Sequence, residues 1–258
     1  MITRIHRIVR RVRRVAYHMA RRGFWPGFCP ICAGRTLFYQ EGSWRRDQYL
    51  CARCLSIPRF RALIAVLETH IPDWRDVHIH ESSPGGASSL KLARETRHYV
   101  ASHYFPDIAP GALNNGYRCE NLEQQTFADA VFDLVITQDV FEHILDPHQA
   151  FAEIARTLKP GGRHVFTVPW YYWQPTLVRA DRKNGEVVYL CEPDYHRNPI
   201  DPKGSLVVTE WGADLCDQIY QCSGLTTTVI RMHDRRQGIE AAFIEVFISQ
   251  KPPRTSVC

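Results

Sequence analysis

Apolar residues recur at helical spacing at the start of the chain and in alternating strand and helix patterns over most of the rest. Over residues 1–22 they return every three or four positions with arginine between them, which predicts an amphipathic helix. A second helix is expected over 59–69. From residue 77 onward, short apolar runs alternate with helical patterns. That alternation is typical of a parallel sheet with helices on both faces.

The alternating region contains seven strand candidates and three helix candidates. The expected strands are 77–81, 98–103, 116–119, 132–137, 163–168, 225–231 and 242–249, and the expected helices are 87–96, 146–158 and 210–222. Such an order predicts an α/β fold built on a doubly wound sheet. The segment 170–208 is long and rich in Pro, Tyr and Trp. We expect it to form a substrate lid, because loops of that length are usually functional.

The positive charge is concentrated at the N-terminus. Residues 1–22 contain eight Arg and no Asp, Glu or Lys, whereas the whole chain of 258 residues has a net charge of only +5, so the remainder is net acidic. Three partners suit the basic helix: the body of the protein, an anionic membrane surface, or RNA. No apolar run is long enough to cross a membrane. We expect a cytoplasmic protein, with peripheral membrane contact as one alternative.

Four of the nine cysteines form two pairs, Cys29-x2-Cys32 and Cys51-x2-Cys54, separated by eighteen residues. Each spacing lets two thiolates converge on one ion from a tight turn, and two such turns complete the tetrahedral shell that zinc prefers. An odd cysteine total with two paired turns favours a metal site over a disulfide framework. The sequence therefore predicts a structural Zn²⁺ ribbon, because four protein ligands leave no open position for substrate.

The most informative stretch runs from Phe132 to Pro169. It begins with Phe-Asp-Leu-Val-Ile-Thr-Gln-Asp-Val-Phe-Glu-His-Ile and continues through Leu-Lys-Pro-Gly-Gly, which ends at Gly162. This block resembles the class I S-adenosylmethionine-dependent methyltransferases, and specifically a methyltransferase type 11-like bacterial subgroup. The resemblance covers about forty residues contiguously, and the layout of 77–249 agrees with it. It implies a seven-stranded, Rossmann-like methyltransferase sheet and S-adenosylmethionine as cofactor.

The resemblance also implies a set of cofactor-binding residues. Members of the family carry an acidic residue and a glycine-rich turn after the first strand, a carboxylate after the second, and a side-chain acceptor for adenine after the third. This sequence has Ser where the first glycine is expected, and it has no carboxylate after the second strand until Asp107. The residues that fall at cofactor positions are Glu81, Ser83, Gly85, Gly86, Ser102, His103, Glu120, Asn121, Gln138 and Asp139.

Methyl transfer to a hydroxyl or amine needs alignment and a base. His143, just past the fourth strand, and His196, inside the lid, are the candidate catalytic bases, since histidine titrates near neutral pH. Three aromatic residues are expected to wall the acceptor pocket: Trp170, Tyr171 and Tyr195. Two further elements, 192–199 and 204–207, resemble the same bacterial subgroup, whose members often accompany sugar and polysaccharide assembly.

Three functions remain open on this sequence. The first is an O-methyltransferase acting on a glycan or related small molecule. The second is an RNA methyltransferase that uses the zinc ribbon and the basic arm. The third is a binding protein whose methyltransferase fold has lost activity, since the ribose carboxylate is missing and the glycine turn is altered. The expected organisation is a basic helix over 1–24, a ribbon over 25–58 and a methyltransferase domain over 59–258.

Overall fold

The computed structural model describes residues 2–196 and 202–253. The α-helices are α1 (Ile2–Arg22), α2 (Arg45–Gln48), α3 (Pro58–His70), α4 (Gly86–Glu95), α5 (Pro147–Thr157) and α6 (Leu215–Ser223), with 3₁₀ turns at Phe141–His143 and Arg235–Gln237. The first nine strands are β1 (Phe24–Cys29), β2 (Gly34–Gln40), β3 (Tyr49–Cys51), β4 (His78–Ser82), β5 (His98–His103), β6 (Leu113–Asn114), β7 (Tyr117–Cys119), β8 (Phe132–Gln138) and β9 (Leu158–Thr167). The other nine are β10 (Trp170–Tyr171), β11 (Leu177–Val178), β12 (Ala180–Lys183), β13 (Glu186–Tyr189), β14 (Tyr195–His196), β15 (Ser205–Leu206), β16 (Thr209–Gly212), β17 (Thr226–Ile230) and β18 (Val246–Gln250).

The chain folds as two compact units. The first comprises Met1–Ile71, Gly85–Arg94 and Arg231–Ile244. The second comprises Pro72–Pro84, Glu95–Ile230 and Glu245–Cys258.

The first unit is organised around a three-stranded antiparallel sheet in the order β1-β2-β3. The second half of α1 packs on this sheet, because Val15 and Met19 contact a small core that contains Tyr39 and Leu50. Arg14 also forms an ion pair with Glu41 at the end of β2. The C-terminal half of the basic helix is therefore held by the four-cysteine module.

The second unit contains the central sheet, in the order β17-β18-β9-β8-β4-β5-β7-β6. The pairs from β9 to β7 are parallel, whereas β17, β18 and β6 run antiparallel to their neighbours. All seven predicted strands lie in this mixed sheet, and Leu113–Asn114 adds a short eighth strand at its edge. The predicted α/β methyltransferase sheet is confirmed.

Helices α5 and α6 supply apolar side chains to the core of the second unit. Phe151 and Ile154 of α5 and Ile219 of α6 are fully buried there with Phe166 and Phe247 of the sheet. Asp146 caps α5 by accepting from the backbone NH of Gln149 at 3.0 Å. The predicted start of the last helix at residue 210 is wrong, because Thr209–Gly212 is an extended strand and α6 begins at Leu215.

Short strands, rather than an open loop, fill the segment 170–208. Strand β16 pairs with β10 and β11, β12 pairs with β13, and β14 pairs with β15. The predicted element 192–199 lies partly outside the described residues, since 197–201 are not described. Within the described part of the chain, no helix is long and apolar enough to cross a membrane.

Candidate functional site

The four predicted metal ligands come together in the first unit. Cys29 ends β1 and Cys51 ends β3, while Cys32 and Cys54 lie in the turns that follow. The Sγ–Sγ distances are 3.7 Å between Cys29 and Cys54 and 3.9 Å between Cys32 and Cys51. Four thiolates about 2.3 Å from one tetrahedral zinc ion lie about 3.8 Å apart. The cluster therefore has the spacing that zinc requires.

Hydroxyl groups lie beside two of the thiols. Ser56 Oγ lies 3.2 Å from the Cys54 sulfur, and Thr36 Oγ1 lies 3.3 Å from the Cys51 sulfur. Burial raises the pKa of the Cys32 thiol to about 12, whereas hydrogen bonds from Cys29 and Cys54 lower the pKa of Cys51. Packed thiols cannot all ionise together without a cation, because like charges disfavour one another.

Glu81 lies at the end of β4 in the second unit, as the resemblance implies. Its carboxylate is fully buried and accepts hydrogen bonds from Tyr99 Oη at 2.5 Å and Gln138 Nε2 at 2.8 Å. Burial and the charge of Glu81 raise the pKa of Tyr99, so the phenol remains a donor. Gln138 thus positions Glu81 across two adjacent strands.

The turn after β4 keeps a left-handed backbone despite its unusual sequence. Ser83 has φ +55°, and its NH donates to the Ser102 carbonyl at 2.8 Å. Gly85 and Gly86, which belong to the first unit, open α4, and Gly86 has φ +76°. A Cβ on Gly86 would lie 2.3 Å from the Phe60 ring. Ser83 therefore adopts the conformation that glycine would adopt more readily.

The two ribose candidates at the end of β5 are engaged inside the sheet. The Ser102 hydroxyl lies 2.7 Å from Nε2 of His80, and both side chains are fully buried. His103 is 7% exposed and packs edge-on against Tyr117. Neither residue presents a free carboxylate-like acceptor, so the ribose position of this chain differs from the family pattern.

Glu120 and Asn121 hold the loop after β7. The Glu120 carboxylate accepts from Arg118 Nε at 2.5 Å and from the backbone NH of Thr126 at 2.8 Å. Asn121 Oδ1 accepts from the NH of Glu123 at 2.9 Å. Their side-chain oxygens accept hydrogen bonds from groups in or next to the same loop. The adenine role of Glu120 stays a prediction.

Asp139 follows β8 at the edge where ligands bind in open α/β sheets. It has φ +53°, and its NH donates to the Thr167 carbonyl at 2.9 Å. Its Oδ1 accepts from the Thr167 hydroxyl at 2.9 Å. The end of β9 therefore fixes the Asp139 carboxylate.

The two candidate catalytic histidines meet in space. The ring centroids of His143 and His196 lie 5.1 Å apart and edge to face. Glu142 lies beside both: its Oε1 is 3.8 Å from His143 Nε2 and 4.0 Å from His196 Nδ1. Glu142 is 1% exposed, whereas the His196 side chain is 43% exposed. The cluster thus has a buried carboxyl group, that of Glu142, and a side that is open to solvent at His196.

Burial lowers the pKa of His143 to about 4, while its hydrogen bond to Leu206 and the charge of Asp139 act in the opposite direction. Nδ1 of His143 donates to the Leu206 carbonyl at 2.8 Å. The ring is therefore neutral near neutral pH, with its proton on Nδ1 and an acceptor lone pair on Nε2. A neutral imidazole in this tautomer is able to accept a proton.

The three predicted substrate residues occupy different environments. Trp170 is half-buried, packs on Phe247 and donates from Nε1 to the Gly212 carbonyl at 2.7 Å. Tyr171 is also half-buried and contacts the Trp173 ring. Tyr195 is 50% exposed. Trp170 therefore contributes to packing, whereas Tyr195 is accessible to an acceptor.

Several positioning groups carry no sequence signal strong enough to single them out. Tyr99 faces Glu81 only because β4 and β5 are neighbours in a particular register. Leu206 acts through its carbonyl, which any residue would provide. Glu142 is adjacent to His143 in the sequence, but its approach to His196 depends on how the segment 170–208 folds.

Comparisons with known proteins agree with this architecture. Residues 83–166 match the methyltransferase domain family. The chain contains a class I S-adenosylmethionine-dependent methyltransferase domain. The prediction of this family is confirmed.

A structure of a methyltransferase with the Trm112 methyltransferase activator of Haloferax volcanii is similar over 78% of this chain and 92% of that one, with a TM-score of 0.50 and 16% identity. An S-adenosylmethionine-dependent methyltransferase from Mesorhizobium loti matches over 73% and 97%, with a TM-score of 0.49 and 13% identity. Dimethylglycine N-methyltransferase of Parasynechococcus marenigrum (strain WH8102) is 49% identical over 49 residues. That match spans 19% of this chain and only 18% of the relative.

Proposed function

We propose that the protein transfers a methyl group from S-adenosylmethionine to an acceptor hydroxyl, on a sugar, a glycan or a related small molecule. The observation that carries this proposal is the convergence of His143, His196 and Glu142 beyond the end of β8. A hydroxyl nucleophile needs a base, and the family sheet binds its ligands at this edge.

The residues around the cofactor edge suit S-adenosylmethionine in part. Ser83 keeps the left-handed turn that brings backbone close to a ligand, and Glu81 and Asp139 supply fixed carboxylates. When bound, S-adenosylmethionine supplies an electrophilic methyl group on a sulfonium. Ser102 and His103 lack the usual carboxylate, so we expect weaker ribose binding than in relatives that carry it.

In the proposed reaction S-adenosylmethionine, when bound, would supply the methyl group to the acceptor oxygen and leave as S-adenosylhomocysteine, with a methyl ether as the other product. His143 would orient the acceptor hydroxyl and take its proton on Nε2. The Leu206 carbonyl stabilises the imidazolium that forms, because it remains a hydrogen-bond acceptor for Nδ1–H.

Exposed aromatic rings near the lid favour a sugar-like acceptor. Tyr195 is 50% exposed, Trp173 60% and Tyr172 49%. Aromatic faces of this kind stack on the apolar faces of sugar rings, while the tyrosine hydroxyls reach polar groups. We therefore retain the segment 170–208 as the proposed substrate lid.

We also propose that the four cysteines hold a structural Zn²⁺ ion. A small three-stranded module has little core of its own, so a metal contributes directly to its folding. Purified protein dialysed against a weak chelator should retain about one zinc per chain, on these cysteines. Cys51→Ser should lose that zinc, while Cys119→Ser, at a buried cysteine outside the cluster, should keep it. Equal zinc content in the two variants would exclude the site.

The basic helix is proposed to contact an anionic membrane surface. Arg11 and Arg14 are directed to the ribbon, but Arg13 is exposed beside Val12, which is 61% exposed. Exposed apolar and arginine side chains together favour lipid over RNA. The proposed boundaries of the segments remain 1–24, 25–58 and 59–258.

Calorimetry and methyl labelling test the enzymatic proposal. The full chain is titrated with S-adenosylmethionine and then incubated with methyl-labelled cofactor and separate panels of saccharides and RNA. We expect cofactor binding and transfer to a saccharide, with His143→Ala retaining cofactor binding and losing transfer. Labelling of RNA alone would support an RNA methyltransferase instead. No binding at millimolar cofactor would support an inactive binding protein.

A further inference from the structure

The arrangement of Glu142, His143 and His196 is not explained by hydrogen bonds among the three side chains. The two nitrogen–oxygen distances, 3.8 Å and 4.0 Å, both end on Oε1 of Glu142. They exceed the range of a direct hydrogen bond, which ends near about 3.2 Å. One ligand atom from each residue nevertheless lies within 4.8 Å of the other two. The three donor atoms are therefore close enough together to share one ion but too far apart for direct hydrogen bonds in the two measured pairs.

We propose that Glu142, His143 and His196 bind a divalent transition-metal cation in the methyltransferase unit. Two imidazole nitrogens and one carboxylate oxygen are the donor set that zinc, cobalt, nickel and iron accept readily. Donor atoms lie about 2.1 Å from such an ion, so two ligands of one ion are at most about 4.2 Å apart. Both measured pairs satisfy this limit, and the His196 side chain, which is 43% exposed, is free to adjust the third.

The hydrogen bond of His143 prepares it for this role. Its Nδ1 donates to the Leu206 carbonyl at 2.8 Å, which leaves the lone pair on Nε2, the nitrogen that lies 3.8 Å from Glu142 Oε1. Metal-binding histidines commonly fix their second nitrogen on a backbone carbonyl in this way.

The same short strand also places His196. In the β14–β15 ladder His196 pairs with Ser205, the neighbour of Leu206. The NH of Val208 further donates to the Glu142 carbonyl at 2.7 Å. All three donor groups are thus tied to the segment 205–208, which explains how a lid residue and two residues after β8 form one site.

Three protein ligands leave open coordination positions on the solvent side, unlike the four-cysteine cluster. This part of the inference rests on the proposed function and changes the role of His143 in it. With Nε2 bound to the metal, His143 would hold the ion, and an acceptor hydroxyl bound at an open position would release its proton to solvent more readily. The acceptor class would then be a hydroxyl compound with a second oxygen able to chelate, such as a vicinal diol.

Cobalt titration of the full-length protein, dialysed against a weak chelator so that zinc remains only on the cysteines, tests the site. We expect one added equivalent of Co²⁺ with a visible spectrum that lacks thiolate-to-cobalt charge transfer, since that band would report exchange at the cysteines. His143→Ala, Glu142→Gln and His196→Ala should each weaken Co²⁺ binding by about tenfold or more. His148→Ala, at an exposed histidine on α5, should bind as the wild type does.

Calorimetry with S-adenosylmethionine on the same samples separates the two proposals. His196→Ala changes an exposed side chain, so it should still fold and bind cofactor while losing cobalt. Cobalt binding without cofactor binding would retain the metal site and contradict the enzymatic proposal. No thiolate-free cobalt in the wild type, or equal binding in all variants, would overturn the metal site.

Discussion

The Leu206 carbonyl accepts a hydrogen bond from Nδ1 of His143 at 2.8 Å. In the β14–β15 ladder Leu206 pairs with Tyr195 and its neighbour Ser205 pairs with His196, so one short hairpin contacts His143 and carries His196. The proposed lid is therefore attached to the residues after β8, because its last strand, β15, accepts the hydrogen bond of His143. Any change that shifts this strand should affect both histidines at once.

Gly204 tests this connection. It has φ +89°, and a Cβ there would lie 2.6 Å from the His196 carbonyl oxygen. Gly204→Ala should therefore displace β14 from β15 and weaken both the cobalt and the acceptor site. Gly185→Ala is a matched control, because Gly185 has φ +84° but no atom within 4 Å of the added Cβ.

The two glycine variants share a backbone cost of about 1–2 kcal/mol. Denaturant unfolding should show this common loss, while Co²⁺ affinity should fall only in Gly204→Ala. Equal cobalt affinity in the two variants would show that the hairpin does not position His196.

Acid sensitivity should arise from histidines buried in the sheet. Burial lowers the pKa of His80 and of His164 to about 3 from an ordinary value of 6.5. Each is neutral in the folded protein but binds a proton in the unfolded chain below pH 6.5. Their contribution to stability is complete above that pH and is lost as the pH falls towards 3, by about 1.4 kcal/mol per pH unit for each histidine.

His164→Phe should reduce the dependence of the free energy of unfolding on pH, measured by denaturant unfolding between pH 4 and 7. The reduction should correspond to up to one proton fewer taken up on unfolding. Thr137→Val is the control, since it removes the 3.0 Å contact between Thr137 Oγ1 and His164 but keeps the titrating ring. We expect it to lower stability at every pH without changing the slope. An unchanged slope in His164→Phe would contradict the assignment.

The sequence predicts the site and the fold correctly where they depend on the spacing of nearby residues. The two Cys-x2-Cys turns predict four converging thiols because each turn sets its own geometry. The apolar runs predict the central sheet because burial on both faces leaves a continuous signal. The small strand Leu113–Asn114 was missed, since two residues carry no periodic pattern.

Contacts between neighbouring strands, and the strand pairing in and after the segment 170–208, could not be predicted from the sequence pattern. Ser102 and His103 fall at the ribose position, but the structure engages Ser102 with His80 on the next strand. Residues 210–212 are predicted to begin the helix 210–222, yet pairing with β10 and β11 makes them extended. Strand pairing supplies backbone partners that local propensity cannot anticipate.

Arg61 should be essential to the four-cysteine module. It is fully buried and donates to the carbonyls of Gly238, at 2.7 Å, and of Tyr49, at 2.9 Å. Burial lowers its pKa to about 10, and the nearby Cys29 acts in the opposite direction, so the guanidinium stays charged. Arg61→Met should destabilise the protein by about 3 kcal/mol or more, because buried carbonyls lose their donors.

Denaturant unfolding and zinc content measure this effect together. Arg236→Met, at an exposed arginine of the same unit, should leave both unchanged. If Arg61→Met kept wild-type stability, the guanidinium would not be required to support the module.

Tyr99→Phe tests whether Glu81 must be held in place for cofactor binding. The variant removes the 2.5 Å hydrogen bond to the buried carboxylate and keeps the ring. Stability should fall by about 1.5–3 kcal/mol, since the lost bond is to a charged group. Affinity for S-adenosylmethionine should fall as well, because Glu81 would lose one of the hydrogen bonds that orient its carboxylate. Tyr220→Phe, at a tyrosine that is 60% exposed on α6, should change neither quantity. Calorimetry of folded Tyr99→Phe at low temperature separates the two effects: wild-type affinity in that sample would exclude Glu81 orientation as a determinant of cofactor binding.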